Sequence, residues 1–594
     1  MLCSISALQA KPLAVRPGRR QAACSASAAR RDGAAAASQS GLDRSTPQQQ
    51  PQSPKRRVEA AALALAGGVT LSNGGSLQAQ PDMDIDTAAF QDYRDNPPAR
   101  KTKIVCTIGP TSCTREGLFQ LADAGMSVVR LNMSHGDHAS HKAVVDLVRE
   151  YNSLGRGNLA VMLDTKGPEV RSGDLAAPLQ LSAGDKVTFT IVEGADGTDN
   201  RIGVNYDQFV DDASVGDMLL VDGGIMSLQV ERITDIALVP ARCRPARCAC
   251  RCRRRHLNIR GKSANLPAIT DRDWADIRFG IEVGVDFYAL SFVRDAAVIY
   301  ELKDGTSAIG VLAKIESADS VEHLEEILDA VDGAMVARGD LGAELPVEEV
   351  PYWQSKIVQG CRRRGKPCIV ATNMLESMIQ NPTPTRAEVS DIAIAVREGA
   401  DAVMLSGETA YGRFPFKSLD TMTTVARRTE LSMLKYHGTR RLADQGLAEM
   451  FAYHAVTMAN TLKTSLVVFS RKGNMPALLS HYRPDYPIYC FTENELVQRR
   501  MALYHSVTAI YMRFSEQQEV TFDRAIGMLK ERGHAKGGQL VAIVQSGRQP
   551  IWRTASTHAI QVRAVPQDPA EDLSSDDEGG PVAKFPIQQQ QPES

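Results

Sequence analysis

From Lys101 onward the chain repeats one pattern: a short run of apolar and β-branched residues, then a longer stretch with apolar positions at helical spacing, then another short run. The runs fall at 103–109, 127–135, 158–167, 285–293, 308–316, 331–340, 366–372 and 400–407. Stretches such as 318–330 and 384–399 read as the intervening amphipathic helices, often with Gly at the end, where a left-handed cap is wanted. Eight βα units predict an α/β fold closed into a (β/α)8 TIM barrel rather than an open sheet. On this reading the barrel occupies residues 81–167 and 268–432.

The pattern breaks between the third and fourth runs. Residues 168–267 alternate short strand-like runs and turns, which predicts a small β-barrel domain inserted in a βα loop. Such loops lie at the C-terminal mouth of a barrel, so the insertion can act as a lid that excludes water. Residues 433–565 predict a second α/β unit, with strands near 465–470, 487–491 and 539–545. The last stretch, 566–594, holds the acidic segment 572–578 and a Gln run and lacks apolar periodicity, as a disordered tail would.

Composition narrows the class. The chain has 594 residues, 43% hydrophobic and 23% charged, and is too long for one core. No run approaches the roughly 20 apolar residues of a membrane span. A formal net charge of -2 leaves no overall footprint for nucleic acid, so any anion site must be local. Residues 1–80 are rich in Ala, Ser, Gln and Arg, with ten basic residues against Asp32, Asp43 and Glu59. That is the balance of a transit peptide and argues for import into a plastid (chloroplast stroma), with mitochondrion or cytoplasm as the alternatives. The eleven cysteines form no small-domain disulfide framework, which suits a reducing compartment. Cys243, Cys248, Cys250 and Cys252 cluster near His256, but C-x-C spacing interleaved with arginine is weak support for zinc.

Polar residues gather at the C-terminal ends of the runs, where the βα loops of a barrel build its site. The second run ends Arg130-Leu-Asn132-Met-Ser134-His135, and its two-residue period points Arg130, Asn132 and Ser134 the same way. The third ends Asp164-Thr165-Lys166, the fifth Lys314-Ile-Glu316, the sixth Arg338-Gly339-Asp340, and Thr372 ends the seventh. A lone K-x-E is usually a surface salt bridge. Lys314, however, follows the apolar stretch 309–313, so it belongs to a strand buried in the barrel and needs partners.

Glu316 and Asp340, on neighbouring strands, are hard oxygen ligands that suit Mg2+ or Mn2+ and leave room for substrate and water; a structural ion-pair network is the competing reading. A metal, a buried lysine and Arg130 together can stabilise the charge of a transferring phosphoryl group. At an effective dielectric near 20, unit charges about 4 Å apart interact by roughly 4 kcal/mol, so a few such contacts selective for the transition state account for many decades of rate. Thr372 adds a hydroxyl that can relay a proton directly or through water.

Four longer motifs carry a family resemblance: Lys101-Thr-Lys-Ile-Val-Cys-Thr-Ile-Gly-Pro110, Leu163-Asp-Thr-Lys-Gly-Pro-Glu-Val-Arg171, Ala334-Met-Val-Ala-Arg-Gly-Asp-Leu-Gly342 and Pro382-Thr-Pro-Thr-Arg-Ala-Glu-Val-Ser-Asp391. In kind and order they resemble pyruvate kinase, over roughly 101–565. The resemblance implies phosphate transfer from phosphoenolpyruvate to ADP, the final step of glycolysis, giving pyruvate and ATP. It implies Lys314 as the group stabilising the transferring phosphate, and Glu316 and Asp340 as holders of the divalent ion. Arg130, Gly339 and Thr372 match substrate-contact positions, and Thr372 lies near the proton delivered to the enolate. Asn132, Ser134, Asp164 and Thr165 match a monovalent cation site, and Glu169 matches the members that look K+-dependent. His135, Arg171 and Lys262 match nucleotide positions. A homotetramer, or a mixed oligomer with paralogous subunits, is also implied.

The chain departs from the family in places. Residues 236–270 contain no acid, and 242–255 hold seven arginines along with the cysteine cluster, which is unusual for a lid strand and points to a reading-frame error. Asp222 stands in Val-Asp-Gly-Gly where many relatives have two acids. The loop Ser470-Arg-Lys-Gly-Asn-Met475 matches the effector region but holds few hydroxyls, so no particular effector follows. Two other readings remain open at this point: a barrel lyase or aldolase working through a metal enolate, and a non-catalytic regulatory subunit.

Overall fold

The structure is a computed structural model that describes residues 99–168, 170–176, 186–192, 194–221, 226–244, 255–260, 266–306, 309–433, 446–549 and 553–567. Residues 1–80, Glu169, Asp222, Lys262, the cysteines at 248, 250 and 252 with most of the arginine-rich stretch, and the acidic tail lie outside the described residues.

Each of the eight runs contains a strand. In chain order the first three are β1 (Lys103–Thr107), β2 (Val128–Asn132) and β3 (Ala160–Asp164). The inserted segment supplies β4 (Thr188–Thr190), β5 (Arg201–Gly203), β6 (Met218–Val221), β7 (Met226–Thr234), β8 (Ala237–Arg244) and β9 (Leu257–Ile259). The remaining five are β10 (Phe287–Leu290), β11 (Gly310–Ile315), β12 (Gly333–Ala337), β13 (Cys368–Ala371) and β14 (Ala402–Leu405). These five and the first three form a closed parallel barrel in which β1 pairs with both β2 and β14.

The strands read as unbroken apolar runs because both faces are buried. Alternate residues such as Val105, Met162, Leu312 and Met335 fill the barrel interior. Their neighbours Ile104, Val161, Val311 and Val336 pack outward against the helices. Ala502 and Leu503, far along the chain, join the inner cluster.

Helix ends follow the local chemistry. Thr385 and Glu388 form a capping box at the start of the helix Arg386–Glu398, and Gly399 closes it at φ 91°. The stretch 318–330, expected as one helix, is two, Ala318–Glu322 and Leu324–Ala330, broken at His323.

The insertion leaves after β3 and returns before the helix Asp271–Val283. Its strands form one sheet in the order β5-β4-β8-β7-β6-β9, antiparallel except at β4/β5. Phe189, Ile202, Phe209, Leu219 and Leu228 give it a core of its own.

The C-terminal unit has five strands where the sequence suggested three: β15 (Ser465–Phe469), β16 (Ile488–Thr492), β17 (Val507–Tyr511), β18 (Leu540–Gln549) and β19 (Arg553–Ala564), in the order β17-β16-β15-β18-β19. Two aspartates at the starts of barrel strands hold this unit: Asp286 Oδ1 accepts from Arg499 Nε at 2.7 Å, and Asp401 Oδ1 from an Arg483 guanidinium nitrogen at 2.9 Å. Among the described residues no helix is long and apolar enough to cross a membrane.

Candidate active site

The strand ends bring Arg130, Asp164, Lys314 and Glu316 together. Arg130 and Asp164 come from the paired strands β2 and β3, where Asn132 lies opposite Asp164. The Arg130 Nε donates to Asp164 Oδ2 at 2.7 Å, and a terminal nitrogen donates to Thr107 Oγ1 at 2.9 Å. Lys314 Nζ, on β11, lies 3.5 Å from Asp164 Oδ1 and 3.0 Å from Glu316 Oε2. One carboxylate, Asp164, therefore sits between two cations.

Burial and charge set the protonation of these groups. Asp164 is 1% exposed, and burial alone would push its carboxyl up; Arg130 and Lys314 overcome that and hold it below the ordinary range. Burial likewise works against the Lys314 ammonium, but Asp164, Glu316 and Asp340 together raise its pKa, so it stays charged. Glu316 is fully buried, which lifts its carboxyl to about 7 against the pull of Lys314, and the negative charge of Asp340 adds to the rise. Glu316 Oε1 accepts from the Phe292 amide at 2.7 Å, while Oε2 has, among the described residues, Lys314 alone as partner.

Two of the strand-end assignments shift in the structure. The sixth run, expected to stay extended to Asp340, ends as strand at Ala337; Arg338, Gly339 and Asp340 open the helix Arg338–Glu344. Asp340 thus stands in a helical first turn, where the helix dipole favours a carboxylate. Thr372 lies one residue beyond β13, in the left-handed region at φ 66°, followed by Asn373 at φ 55°. A β-branched residue rarely adopts that conformation, and here neighbours enforce it. Its hydroxyl donates to Ala371 O at 2.7 Å and accepts from the Gly339 amide at 2.8 Å. Arg338 clasps the same turn, donating to Ala371 O at 3.0 Å and to the Thr372 carbonyl, and its guanidinium pairs with Asp391 at 2.6 Å.

The four oxygen-bearing residues assigned to a monovalent ion lie along the ends of β2 and β3. Asn132 Oδ1 accepts from the Ser134 amide at 3.1 Å, and the Met133 amide donates to Asp164 O at 3.0 Å. Thr165 is buried next to Asp164. His135 is exposed just past β2, its carbonyl taken by His141 Nε2 at 2.8 Å. Arg171 stands where the insertion begins, in a backbone bridge with His256.

Sequence reasoning passed over Ser291, whose hydroxyl accepts from Lys314 Nζ at 2.8 Å. The signal was the one used elsewhere, a polar residue at the end of an apolar run. It also passed over Thr107 and Asp273. Asp273, fully buried, accepts from the Gly167 amide at 3.0 Å and so anchors the chain leaving β3.

A parallel barrel whose mouth gathers a charged lysine, an arginine and sparse carboxylates is an enzyme site of the phosphoryl-transfer kind. Comparison with known proteins gives the family. A profile described as pyruvate kinase, barrel domain, matches residues 99–419, and one described as pyruvate kinase, alpha/beta domain, matches 449–561. Plastidial pyruvate kinase 2 of Arabidopsis thaliana is 58% identical over 474 residues, covering 78% of this chain and 81% of that protein. A pyruvate kinase of Geobacillus stearothermophilus is 40% identical, over 78% of this chain and 80% of its own length. A crystal structure of a pyruvate kinase from Cryptosporidium parvum superposes with a TM-score of 0.71 at 32% identity, covering 80% of this chain and 99% of that one.

The chain belongs to the pyruvate kinase family. It is an enzyme of glycolysis that transfers phosphate from phosphoenolpyruvate to ADP, yielding pyruvate and ATP.

Proposed function

We propose that this transfer runs at the barrel mouth between Lys314 and Arg130, with Thr372 on the far side. The observation that supports it is the pair of cations sharing Asp164, Lys314 at 3.5 Å and Arg130 at 2.7 Å, which fixes both charges before substrate arrives. Lys314 remains an ammonium and faces the moving phosphoryl group. Arg130, held by Asp164 and Thr107, orients the substrate phosphate through its planar donors. The Gly339 amide fixes the Thr372 hydroxyl, and the turn holds it where it can pass a proton toward the enolate carbon, directly or through water.

Glu316 and Asp340 are the residues for Mg2+ or Mn2+. They fit it: among the described residues Glu316 Oε2 is buried without a hydrogen bond and has Lys314 as its ion-pair partner, and the Asp340 carboxylate makes no hydrogen bond or ion pair, yet its charge acts on Glu316. Two such carboxylates call for a further cation, and a hard divalent ion suits them. When bound, it supplies positive charge that offsets the negative charge of the phosphates. Asn132, Ser134, Asp164 and Thr165 present oxygen donors for K+ at adjoining strand ends. His135, Arg171 and Lys262 are assigned to the nucleotide, Gly339 and Asp340 to the substrate, and the segment 168–267 to a lid.

Several chloroplast enzymes are among the relatives, including plastidial pyruvate kinase 3 of Arabidopsis thaliana at 57% identity, and this chain works in a plastid. Exposed Val347 and Tyr352 on the barrel flank support assembly into a homotetramer or a mixed oligomer with paralogues. The test of the reaction centre is to incubate purified protein with phosphoenolpyruvate, ADP, Mg2+ and K+ and follow pyruvate, for wild type and for Arg130→Lys. Arg130→Lys keeps the charge but loses the planar donors. Equal kcat/KM for phosphoenolpyruvate in the two proteins would falsify the role given to Arg130.

A further inference from the structure

Ser291 follows β10 and is 1% exposed. Its hydroxyl oxygen accepts from Lys314 Nζ at 2.8 Å and donates its own proton to Thr165 O at 2.7 Å. Its backbone amide donates to Thr165 Oγ1 at 3.1 Å. A single side chain thus joins the lysine on β11 to the turn that leaves β3. The Thr165 end of the link is fixed, since its amide donates to Ala289 O at 3.1 Å.

The ammonium of Lys314 has three protons and, among the described residues, three polar neighbours: Ser291 Oγ, Glu316 Oε2 at 3.0 Å and Asp164 Oδ1 at 3.5 Å. Of these, only Ser291 meets the ammonium in a hydrogen bond among the described residues, so a phosphoryl oxygen that takes over that bond displaces the hydroxyl. Ser291 is the neutral member of the three, so it costs least to give up. Its hydroxyl proton is tied to Thr165 O, which keeps a lone pair aimed at Lys314. A cation held at the Asp164–Thr165 turn would draw on the same carbonyl oxygen and so loosen the hold of Thr165 O on the Ser291 proton. Once released, the hydroxyl can turn its proton toward the incoming phosphate as the ammonium swings across.

We infer that Ser291 is a positioning residue that couples the Asp164–Thr165 turn to Lys314, so that a monovalent cation at that turn governs where the lysine ammonium sits. The inference rests on the assignment of Asn132, Ser134, Asp164 and Thr165 to K+. It gives the cation a specific receiver, beyond a general contribution of charge.

The test uses the full chain and Ser291→Ala, with kcat, the KM values and the K+ concentration for half-activation measured at saturating Mg2+, and with the rise of Tm with K+ measured without substrates, where the variant should need at least about fivefold more K+ for the same rise. Ser291→Ala is expected to lower kcat by about 10- to 100-fold, the worth of a hydrogen bond to a charged group. Half-activating K+ should rise by at least about fivefold, the lower end of an ordinary coupling between sites. The KM for ADP should hold. Should Ser291→Ala not fold, Ser291→Cys, close in size with a weaker donor, carries the same expectations in smaller measure. A wild type that ignores K+ overturns the cation assignment and this inference together. A K+-responsive wild type whose variant keeps the same half-activating K+ overturns this inference alone, and leaves Ser291 a packing residue.

Discussion

Lys314 and Glu316 leave the same edge of β11 two residues apart, and Nζ meets Oε2 at 3.0 Å in a site where the glutamate is fully buried. The pair is a matched unit. Replacing Lys314 by Met leaves Glu316, already lifted to about 7, free to take a proton and become neutral. The fold is therefore expected to survive while turnover drops by about 1000-fold, as for loss of a transition-state donor. Pyruvate formation and thermal unfolding of Lys314→Met, measured together, check this.

Gly167 precedes the inserted segment at φ 71°, and a Cβ there would lie 2.7 Å from both Phe292 Cδ2 and Ser291 Cβ. Gly167→Ala is expected to cost roughly 2–4 kcal/mol, from the left-handed backbone and the overlap together. It should also lower kcat, because the displaced residues are those that hold Glu316 and Lys314. Denaturant unfolding measures the first effect, and a wild-type midpoint would show that the loop yields freely.

Arg338 should control Thr372 without touching substrate. Arg338→Gln removes the grip on Ala371 O and the Thr372 carbonyl and leaves Asp391 without its ion pair. The expected loss in kcat is about 10- to 100-fold. Deuterium uptake from solvent into the methyl group of pyruvate should slow in parallel, since that exchange requires the proton transfer but no phosphoryl transfer. Unchanged exchange with a lowered kcat would assign Arg338 to phosphoryl transfer instead.

Lys103 gives a pH prediction away from the site. Burial, with Arg100 nearby and despite Glu430, lowers its amine to about 7, and Nζ donates to Val507 O at 2.6 Å. Between pH 7 and the ordinary lysine value of 10.5 the unfolded chain holds a proton that the folded one lacks, so this residue makes stability rise with pH in that window. Lys103→Met removes the slope. Its advantage over wild type should be largest below pH 7 and fade toward pH 10. The side chain keeps partial exposure to a cleft beside the C-terminal unit, which screens the charge, so the gain is about 1–2 kcal/mol. Melting curves of both proteins across that range provide the comparison.

Potassium should be required. With K+ replaced by a bulky organic cation such as tetramethylammonium at equal ionic strength, pyruvate formation is expected to fall at least about tenfold, since the oxygen donors at Asn132, Ser134, Asp164 and Thr165 suit a small bare ion. Undiminished activity would remove the cation from the reaction scheme.

The barrel was legible because its strands are buried on both faces, and long apolar runs with Gly-capped helices leave little choice of fold. β19 was not. Its stretch, Arg553 to Ala564, carries few large apolar residues, and it is extended through its backbone pairing with β18. β17 was missed because Val507 to Tyr511 is short and follows a polar turn. At the site, Lys314, Glu316, Arg130 and Asp164 could be read from a two-residue period at strand ends. The turn at Thr372 could not: its left-handed conformation is imposed by Arg338 and Gly339, residues over thirty positions earlier in the chain. Ser291 was legible by the signal that marks Thr372, a hydroxyl residue closing an apolar run.

Ring closure places a demand on the growing chain. Lys103 on β1 finds its partner Ala402 on β14 only when nearly the whole barrel has been made, and the interior is completed by Ala502 and Leu503 from beyond it. Until those residues leave the ribosome, the first strand presents an unpaired edge and the barrel floor an uncovered apolar opening. A chain cut short before Ala502 thus has all eight barrel strands but an incomplete interior, an assembly intermediate rather than a smaller enzyme.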